Sequence, residues 1–288
     1  MSRKPIADDP SGDDGSGATT RVQLRADADG VTVVVDGHPQ SHVCLRDPGL
    51  LAFEYMQHLG LAVQMVRPPA PGPLRVTHVG GAGLTLARWV QHTRPGSTQV
   101  VLEPDAELTA LVRDALPLPR GHRIRVRPVG GTEGIGALGD SSADVIILDA
   151  YAAGRVPAEL TTTEWFAEAA RVLDADGLLA ANLADEPGLG YAARVLASIE
   201  DSGGFAETAV IAAHEVWKGR RFGNLVVVAG RHGLDIAALL RAAAGAPTPT
   251  GVRHGQPLRA MWRSARALTA ADPAQSPVPP DPGRWRVW

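Results

Sequence analysis

The sequence predicts an α/β protein: a doubly wound, Rossmann-like sheet with a small β-hairpin unit on its N-terminal side. Strand and helix patterns alternate from residue 74 to residue 230, and strands such as VIILD (145–149) and GLLAANL (177–183) are almost wholly apolar. Apolar strands that alternate with helices are typical of a parallel sheet covered by helices on both faces. The glycine-rich turn GGAG (80–83) follows the first of these strands, at the place where such sheets bind ligands.

The N-terminal region begins with a polar segment and continues as a β unit. Residues 1–20 are rich in Asp, Gly, Ser and Pro, so we expect a disordered tail, because such residues bury too little apolar surface to offset the entropy of ordering. RVQLRA (21–26) and VTVVVDG (31–37), joined by DADG, have the alternation of a hairpin. QSHVCL (40–45) predicts a third strand. The unit is expected to span residues 21–48.

Residues 49–246 are predicted to form the Rossmann-like domain. Apolar residues recur at helical spacing from Gly49 to Val66, and PPAPGP then breaks the chain. Four strands and three helices should follow in alternation. The strands are predicted at 74–79, 98–103, 123–129 and 143–149, and the helices at 84–92, 105–116 and, as a short segment, near Glu133–Leu138. Arg123, Arg125 and Arg127 share one face of their strand, which is typical of a sheet edge protected by charge.

The second half of this domain continues the alternation. Thr161 and Glu164 match a capping box at the start of TTTEWFAEAARVL, which predicts a helix. The patterns then predict a buried strand at 177–183, a helix over Gly190–Ser202, a closing pair of strands at 206–213 and 224–230, and a helix over Ile236–Ala244.

Residues 247–288 are predicted to hold a C-terminal helix, starting near Leu258, and a proline-rich tail that is extended from Ala271 to Gly283. The chain ends in WRVW, whose two tryptophans would share one face of an extended strand. Two interpretations stay open: the strand docks on the body or a sister subunit, or the tail is loosely packed.

The composition indicates a globular protein with small-molecule partners. Of the 288 residues 44% are hydrophobic and 20% charged, and the net charge is −3, which gives no electrostatic reason to expect nucleic acid or an anionic membrane as partner. The sequence lacks a run of about 18 apolar residues and has charges where a signal peptide is apolar. We therefore expect a cytoplasmic location. The single cysteine, Cys44, excludes an internal disulfide and a thiolate cluster.

The glycine turn and the strand after it indicate a nucleoside site. Gly80, Gly81 and Gly83 stand where backbone can approach a ligand, and Glu103 ends the next strand, where an acid meets ribose hydroxyls in nucleoside-binding sheets. The G-x-G-x-x-G spacing that cradles pyrophosphate does not match, and there is no P-loop lysine. An adenosyl ligand without phosphate, such as S-adenosylmethionine, fits better. The alternative is a tight turn beside an ordinary surface acid.

The order of five sequence segments along the chain is informative about the protein family. They are DGHPQ (36–40), HVGGAG (78–83), VVLEPD (100–105), VIILDAY (145–151) and the helix-then-strand segment at 160–183. Together they resemble the spermidine synthases, or polyamine aminopropyltransferases, which share the class I methyltransferase fold. The last segment is similar to that of divergent bacterial members.

The resemblance implies a site and its chemistry. An amine would attack the methylene carbon beside the sulfonium of decarboxylated S-adenosylmethionine, and a carboxylate would deprotonate and orient that amine. A homodimer is also implied. The implied roles are Asp149 as catalytic base, Tyr151 beside it, Gln40 reaching the ligand from the N-terminal unit, Glu103 on the ribose, and Gly80, Gly81, Gly83 and Gly131 in the co-substrate site.

The residues by themselves leave two interpretations of Asp149 and give no metal site. Asp149 follows VIIL at the carboxyl end of a strand, the expected catalytic edge; the alternative is that it caps a helix or orients the loop as a buried acid. His38 and His42 lie near Cys44, but no carboxylate completes a ligand set nearby, so we expect no metal.

The chain departs from the family pattern at several positions. The family has acids where Gly83, Ala152 and Gly131 stand, and Tyr-x-Glu where residues 53–55 read Phe-Glu-Tyr. The first two acids pair with substrate ammonium groups, and each lost contact costs about 1.5 to 3 kcal/mol. The acceptor is therefore expected to be an amine other than ordinary putrescine, although Glu54, Asp185 and Glu186 are candidates to compensate.

Two other functions remain open on this scaffold. Without an acid at position 83, selection against the carboxylate of S-adenosylmethionine would be relaxed, which favours a methyltransferase. A catalytically inactive nucleoside-binding or interaction protein is the third hypothesis, because a fold does not fix a function.

Overall fold

The computed structural model describes residues 21–280, so the predicted N-terminal tail and the WRVW terminus lie outside the described residues. It contains two sheets. The smaller sheet is antiparallel and consists of β1 (Val22–Ala26), β2 (Val31–Val35) and β3 (His38–Val43). It confirms the predicted hairpin with a third strand.

Within residues 21–280 the larger sheet has eight strands, five of them parallel. The parallel strands are β4 (Arg75–Val79), β5 (Thr98–Leu102), β6 (Ile124–Arg127), β7 (Ala143–Leu148) and β8 (Leu173–Asp185). In space their order is β8-β7-β4-β5-β6. The chain runs outward from β4 to β6 and returns to place β7 beside β4. This reversal is the switch point at which doubly wound sheets bind ligands, and it confirms the predicted α/β class.

Antiparallel strands extend the sheet beyond β8. They are β9 (Glu207–Ala213), β10 (Gly223–Gly230) and β11 (Thr250–His254), and the full order is β11-β9-β10-β8-β7-β4-β5-β6. β9 and β10 are the predicted closing pair. β11 has no counterpart in the sequence interpretation, because TGVRH is short, polar and only partly buried. Its place is fixed by pairing with β9 and by Trp217, whose indole Nε1 donates a hydrogen bond to the Gly251 carbonyl at 2.9 Å.

Helices cover both faces of the sheet. In chain order they are α1 (Glu54–Gln64), α2 (Thr85–Thr93), α3 (Ala106–Ala115), α4 (Gly131–Gly136), α5 (Thr163–Val172), α6 (Gly190–Asp201), α7 (His214–Trp217), α8 (Ile236–Ala244) and α9 (Gly255–Arg259). Alternate residues of β7 separate the two cores: Ile146 packs with α5 and α6, whereas Ile147 packs with α1, α2 and α8. None of these helices is long and apolar enough to cross a membrane.

Several element boundaries differ from the expectations. The residue that caps α5 is Thr162, whose hydroxyl accepts from the Trp165 N–H at 3.2 Å. The predicted capping box is therefore wrong by one residue: Thr161 instead contacts the Tyr191 hydroxyl, and Glu164 accepts from the Ala270 N–H. The C-terminal helix, α9, begins at Gly255 rather than near Leu258 and is only one turn long.

β6 forms the edge of the sheet, as the alternating arginines predicted, since among the described strands it pairs with β5 alone. The three-stranded sheet packs on α3, the helix between β5 and β6, where Val33 and Val43 share a buried cluster with Leu108 and Val112. The predicted division into 21–48, 49–246 and 247–288 remains a prediction.

The proline-rich C-terminal segment is held against the body as far as residue 280. Ser276 is fully buried; its hydroxyl accepts from the Val156 N–H at 2.9 Å and its carbonyl accepts from Arg155 Nε at 2.6 Å. These bonds fasten the segment to the loop after β7, so Pro279 and Pro280 come to lie beside the site described next.

Candidate active site

The turns after β4, β5 and β7 meet at the switch point. The Gly80 N–H donates to the Leu102 carbonyl and the Asp149 N–H to the Val79 carbonyl, each at 2.9 Å. Gly80 has a φ of +92°, and a Cβ at this position would lie 2.2 Å from the Asp149 carbonyl oxygen. Only glycine allows the turn to pass this close to Asp149. The structure thus brings together Gly80 and Asp149, which the sequence places at the carboxyl ends of two strands.

Glu103 lies along the glycine turn. Its Oε2 accepts from the Gly81 and Ala82 N–H groups at 3.0 and 3.2 Å, and its Oε1 accepts from the Asp105 N–H at 3.1 Å. The residue is 9% exposed, so the alternative of an ordinary surface acid is wrong. A carboxylate offers about four acceptor positions, and Glu103 therefore keeps capacity for a hydroxyl donor at this turn.

Gly83 contacts the three-stranded sheet. Its N–H donates to the Ser41 hydroxyl at 3.1 Å. A Cβ on Gly83 would lie 2.8 Å from Ser41 Cβ and 3.2 Å from methyl groups of Val33 and Val43. The side of Gly83 that would carry a side chain is thus filled by the sheet, and an acid there would displace it.

Gly131 is also a packing glycine. It is the first residue of α4, and a Cβ there would lie 2.5 Å from a Val79 methyl and 2.7 Å from a Leu160 methyl. Its neighbour Gly130 caps α4, and nothing lies within 4 Å of a Cβ built on it. Of the two neighbours, Gly130 is therefore the one with open space for a side chain; the place of Gly131 in a co-substrate site stays a prediction.

Asp149 is half-buried at the carboxyl end of β7, and its carboxylate is held by one side chain. Asn182 Nδ2 donates to Asp149 Oδ1 at 2.8 Å. Burial raises the pKa of Asp149 to about 6, and the Asn182 hydrogen bond opposes part of that rise. A carboxyl group that ionises near this pH can accept a proton from a substrate at neutral pH.

Tyr151 belongs to the same hydrogen-bond network. Asn224 Nδ2 donates to the Tyr151 hydroxyl at 3.2 Å and to Asn182 Oδ1 at 3.0 Å, and the Tyr151 hydroxyl in turn donates to the Asn182 carbonyl at 3.4 Å. Burial and the nearby Asp149 charge hold the pKa of Tyr151 well above its usual value, so it stays a neutral donor. Asn182 and Asn224 were missed from the sequence; the one signal was a lone amide in each of two apolar strands.

A cavity of ≈ 690 Å³ adjoins this network. It lies between β3, the start of α1 and the ends of β8 and β10, and Tyr151, Asn182 and Asn224 line it. Asp149 is adjacent, since its Oδ1 accepts from Asn182, which lines the cavity. Gln40 lines the cavity too, as the unpaired extra residue of a bulge in β3. Bulges re-aim side chains in this way.

The acids considered as compensation have different surroundings. Glu54 lines the cavity and forms an ion pair with Arg221 at 3.0 Å. Asp185 is buried, and its two oxygens accept from the Glu186 and Ala192 N–H groups at 2.8 Å, so it caps the start of α6. Glu186 is exposed. Of the three, only Glu54 reaches the cavity.

The chain is similar to known proteins in sequence and in structure. No protein-family model matches it. The polyamine aminopropyltransferase of Neisseria meningitidis is 24% identical over 111 residues, which is 38% of this chain and 42% of that protein; the match thus spans less than half of the curated relative. A spermidine synthase in complex with the transition-state analogue AdoDATO has a TM-score of 0.55 at 19% identity, over 80% of this chain and 76% of that one, which indicates a shared fold.

A probable spermidine synthase from Corynebacterium glutamicum resembles the chain over nearly its whole length. The TM-score is 0.78 and the identity 30%, and the match covers 90% of this chain and 96% of that one. Similarity in both fold and sequence over this length is more than a common architecture alone produces. The chain therefore belongs to the spermidine synthase family.

Proposed function

We propose that the protein is an aminopropyltransferase, which binds decarboxylated S-adenosylmethionine and transfers its aminopropyl group to an amine. The observation that carries this proposal is the position of Asp149. Its carboxylate has a pKa of about 6, is fixed by Asn182, and lies between the glycine turn at Gly80 and the cavity lined by Tyr151. A base poised near neutral pH between two binding regions suits proton removal from a bound amine.

The proposed step forms one bond and breaks one. The amine nitrogen attacks the methylene carbon beside the sulfonium, the carbon–sulfur bond breaks with its electron pair going to sulfur, and methylthioadenosine leaves. Asp149 accepts the proton that the amine nitrogen loses. Asn182 fixes the carboxylate so that the amine is held in line with the breaking bond.

The co-substrate is proposed to lie across the turn after β4. Its ribose hydroxyls would donate to Glu103, which retains acceptor capacity beside Gly81. Gly130 leaves open space on the same edge, while Gln40 and Tyr151 line the cavity that the aminopropyl group would enter. The AdoDATO complex of a spermidine synthase with this fold supports the assignment.

The acceptor is proposed to be an amine other than ordinary putrescine. The position that the family uses for one ammonium-binding acid is Gly83, whose side-chain direction is filled by the three-stranded sheet. The second position is Ala152, which is exposed. A dication would therefore lack two charge-assisted contacts.

Calorimetry with three ligands tests this function. We expect decarboxylated S-adenosylmethionine and methylthioadenosine to bind, and S-adenosylmethionine to bind more weakly. Preference for S-adenosylmethionine would support a methyltransferase instead. If none of the three adenosyl compounds binds, both enzyme assignments fail and a non-catalytic role remains.

A further inference from the structure

The wall of the cavity beside Asp149 is mainly apolar. The side chains that give it this character are Phe53, Tyr55, Tyr151, Phe222, Pro279 and Pro280. The rings of Phe53 and Tyr55 stack with their centroids 5.9 Å apart and an angle of 22° between their planes, so they form one aromatic part of the wall. At ≈ 690 Å³ the cavity lies within the range of roughly 300–1,000 Å³ that holds small-molecule ligands.

The charges of the cavity cancel. Among the described residues that line it, Glu54 is the one carboxylate and Arg221 the one lysine or arginine. Arg221 Nη2 lies 3.0 and 3.3 Å from the two Glu54 oxygens. A second substrate ammonium group in the cavity would meet Glu54 already paired with Arg221. The positive Arg221 guanidinium would also repel it.

Nor does the rest of the site supply a carboxylate for a second ammonium group. Asp149 is the proposed base and holds the amine that reacts. Asp185 is 1% exposed, accepts from the Glu186 and Ala192 N–H groups and does not line the cavity, and the side-chain direction of Gly83 is occupied by Ser41. The site is therefore built for one positive charge at Asp149 and an uncharged remainder.

From these contacts we infer that the acceptor is a primary monoamine with an apolar, ring-bearing or alkyl body. This inference rests on the proposed function and names its substrate class. The amine lies at Asp149 and the body packs against Phe53, Tyr55 and Phe222. In the reaction its nitrogen gains the aminopropyl carbon and loses one proton to Asp149, and methylthioadenosine is released, so the product is a secondary amine that bears one new primary amine.

The test compares amines of matched size with the full chain and saturating decarboxylated S-adenosylmethionine. Pentylamine and putrescine are nearly isosteric and differ in the terminal methyl or ammonium group; 2-phenylethylamine adds a ring, and 4-aminobutyrate replaces the end with a carboxylate. We expect kcat/KM for methylthioadenosine release to be at least about tenfold higher with pentylamine and with 2-phenylethylamine than with putrescine or 4-aminobutyrate. If putrescine or 4-aminobutyrate equals or exceeds pentylamine, the acceptor class is wrong.

A substitution of Arg221 tests the role of its ion pair with Glu54. Arg221→Gln frees Glu54 to meet a second ammonium group, so kcat/KM for putrescine should rise about tenfold, with pentylamine changed by less than about twofold. The control is Arg220→Gln, because Arg220 is the next residue but pairs with Glu215 instead; it should leave both values unchanged. Methylthioadenosine affinity, measured for each variant, shows that the site is folded. An unchanged putrescine-to-pentylamine ratio in Arg221→Gln would overturn the inference.

A direct measurement of decarboxylated S-adenosylmethionine binding distinguishes a failure of the monoamine assignment from a failure of the proposed aminopropyl transfer. If the co-substrate binds and putrescine is the preferred acceptor, the monoamine assignment fails while aminopropyl transfer stands. If the co-substrate does not bind, or if none of the four amines releases methylthioadenosine, both fail.

Discussion

Burial, rather than a neighbouring negative charge, raises the pKa of Asp149, and one amide opposes the rise. The distinction matters for mechanism. A carboxylate destabilised by burial takes up a proton readily, while the Asn182 hydrogen bond at 2.8 Å fixes its direction. Asn182 is in turn held by Asn224, so two buried amides position the Asp149 carboxylate.

We expect Asp149→Asn to lower kcat by about 10²- to 10⁴-fold, the usual contribution of a general base. The affinity for decarboxylated S-adenosylmethionine should stay within a few-fold of the original, because the amide has the same shape and can still accept from Asn182. Steady-state kinetics and calorimetry measure the two effects. If kcat is unchanged in this variant, Asp149 is not the base.

The pH dependence of the reaction follows from the same carboxylate. With a pKa of about 6, Asp149 is ionised above that pH and protonated below it, so kcat/KM should fall about tenfold per pH unit below pH 6. The low-pH limb should be absent from the residual activity of Asp149→Asn. If kcat/KM instead falls only below about pH 4, near the ordinary pKa of an aspartate, burial does not raise the pKa of Asp149.

At the scale of elements, the site depends on how the three-stranded sheet docks on the main sheet. Gly83 makes this contact through its N–H to Ser41, and the Thr85 hydroxyl donates to the His42 carbonyl at 2.9 Å. The same sheet supplies Gln40 to the cavity through the bulge in β3. Docking therefore sets where Gln40 lies.

Gly83→Ala should weaken this docking. The added methyl would lie 2.8 Å from Ser41 Cβ, and overpacking of this kind costs about 1–3 kcal/mol of unfolding free energy. The matched control is Gly139→Ala, where nothing lies within 4 Å of the new methyl and little or no loss is expected. Denaturant unfolding of both variants measures the difference. Equal stability of the two would mean that the contact at Gly83 is not close-packed.

The sequence predicted the alternation of strands and helices and placed Gly80, Glu103 and Asp149 at the carboxyl ends of their strands, because apolar strands and the turns after them follow from local pattern. The sequence could not show which way a side chain at a glycine position would point. Whether Gly83 and Gly131 face the crevice or the core depends on the partners that pack on them, Ser41 and Leu160, which lie 42 and 29 residues away along the chain.

Two further features were beyond local pattern. Asn182 and Asn224 act together because β8 and β10 pair antiparallel, a long-range fact that a lone amide in each strand does not reveal. β11 is a strand because β9 offers it an edge, since its own residues lack strand periodicity.

At the scale of the whole molecule, the C-terminal segment and the N-terminal sheet enclose one cavity from two sides. Pro279 and Pro280 face it from one side and Gln40 from another, although the residues are far apart in the chain. Bonds from Ser276 to the loop after β7 join the segment to the strand that carries Asp149. The ends of the described chain thus complete the proposed acceptor site.

The homodimer implied by the resemblance is a prediction at this scale. Light scattering should give a molar mass near twice the 30.2 kDa of one chain, independent of concentration over the micromolar range. A mass of one chain would contradict it.

The central claim is that an adenosyl co-substrate lies across the turn after β4 with its ribose held by Glu103. The most direct measurement is a crystal structure of the full chain with methylthioadenosine. We expect density for the nucleoside against Gly80 and Gly81, with ribose oxygens within about 3.2 Å of the Glu103 carboxylate. Density for the nucleoside elsewhere, or a Glu103 carboxylate that makes no contact with the ribose, would contradict the account.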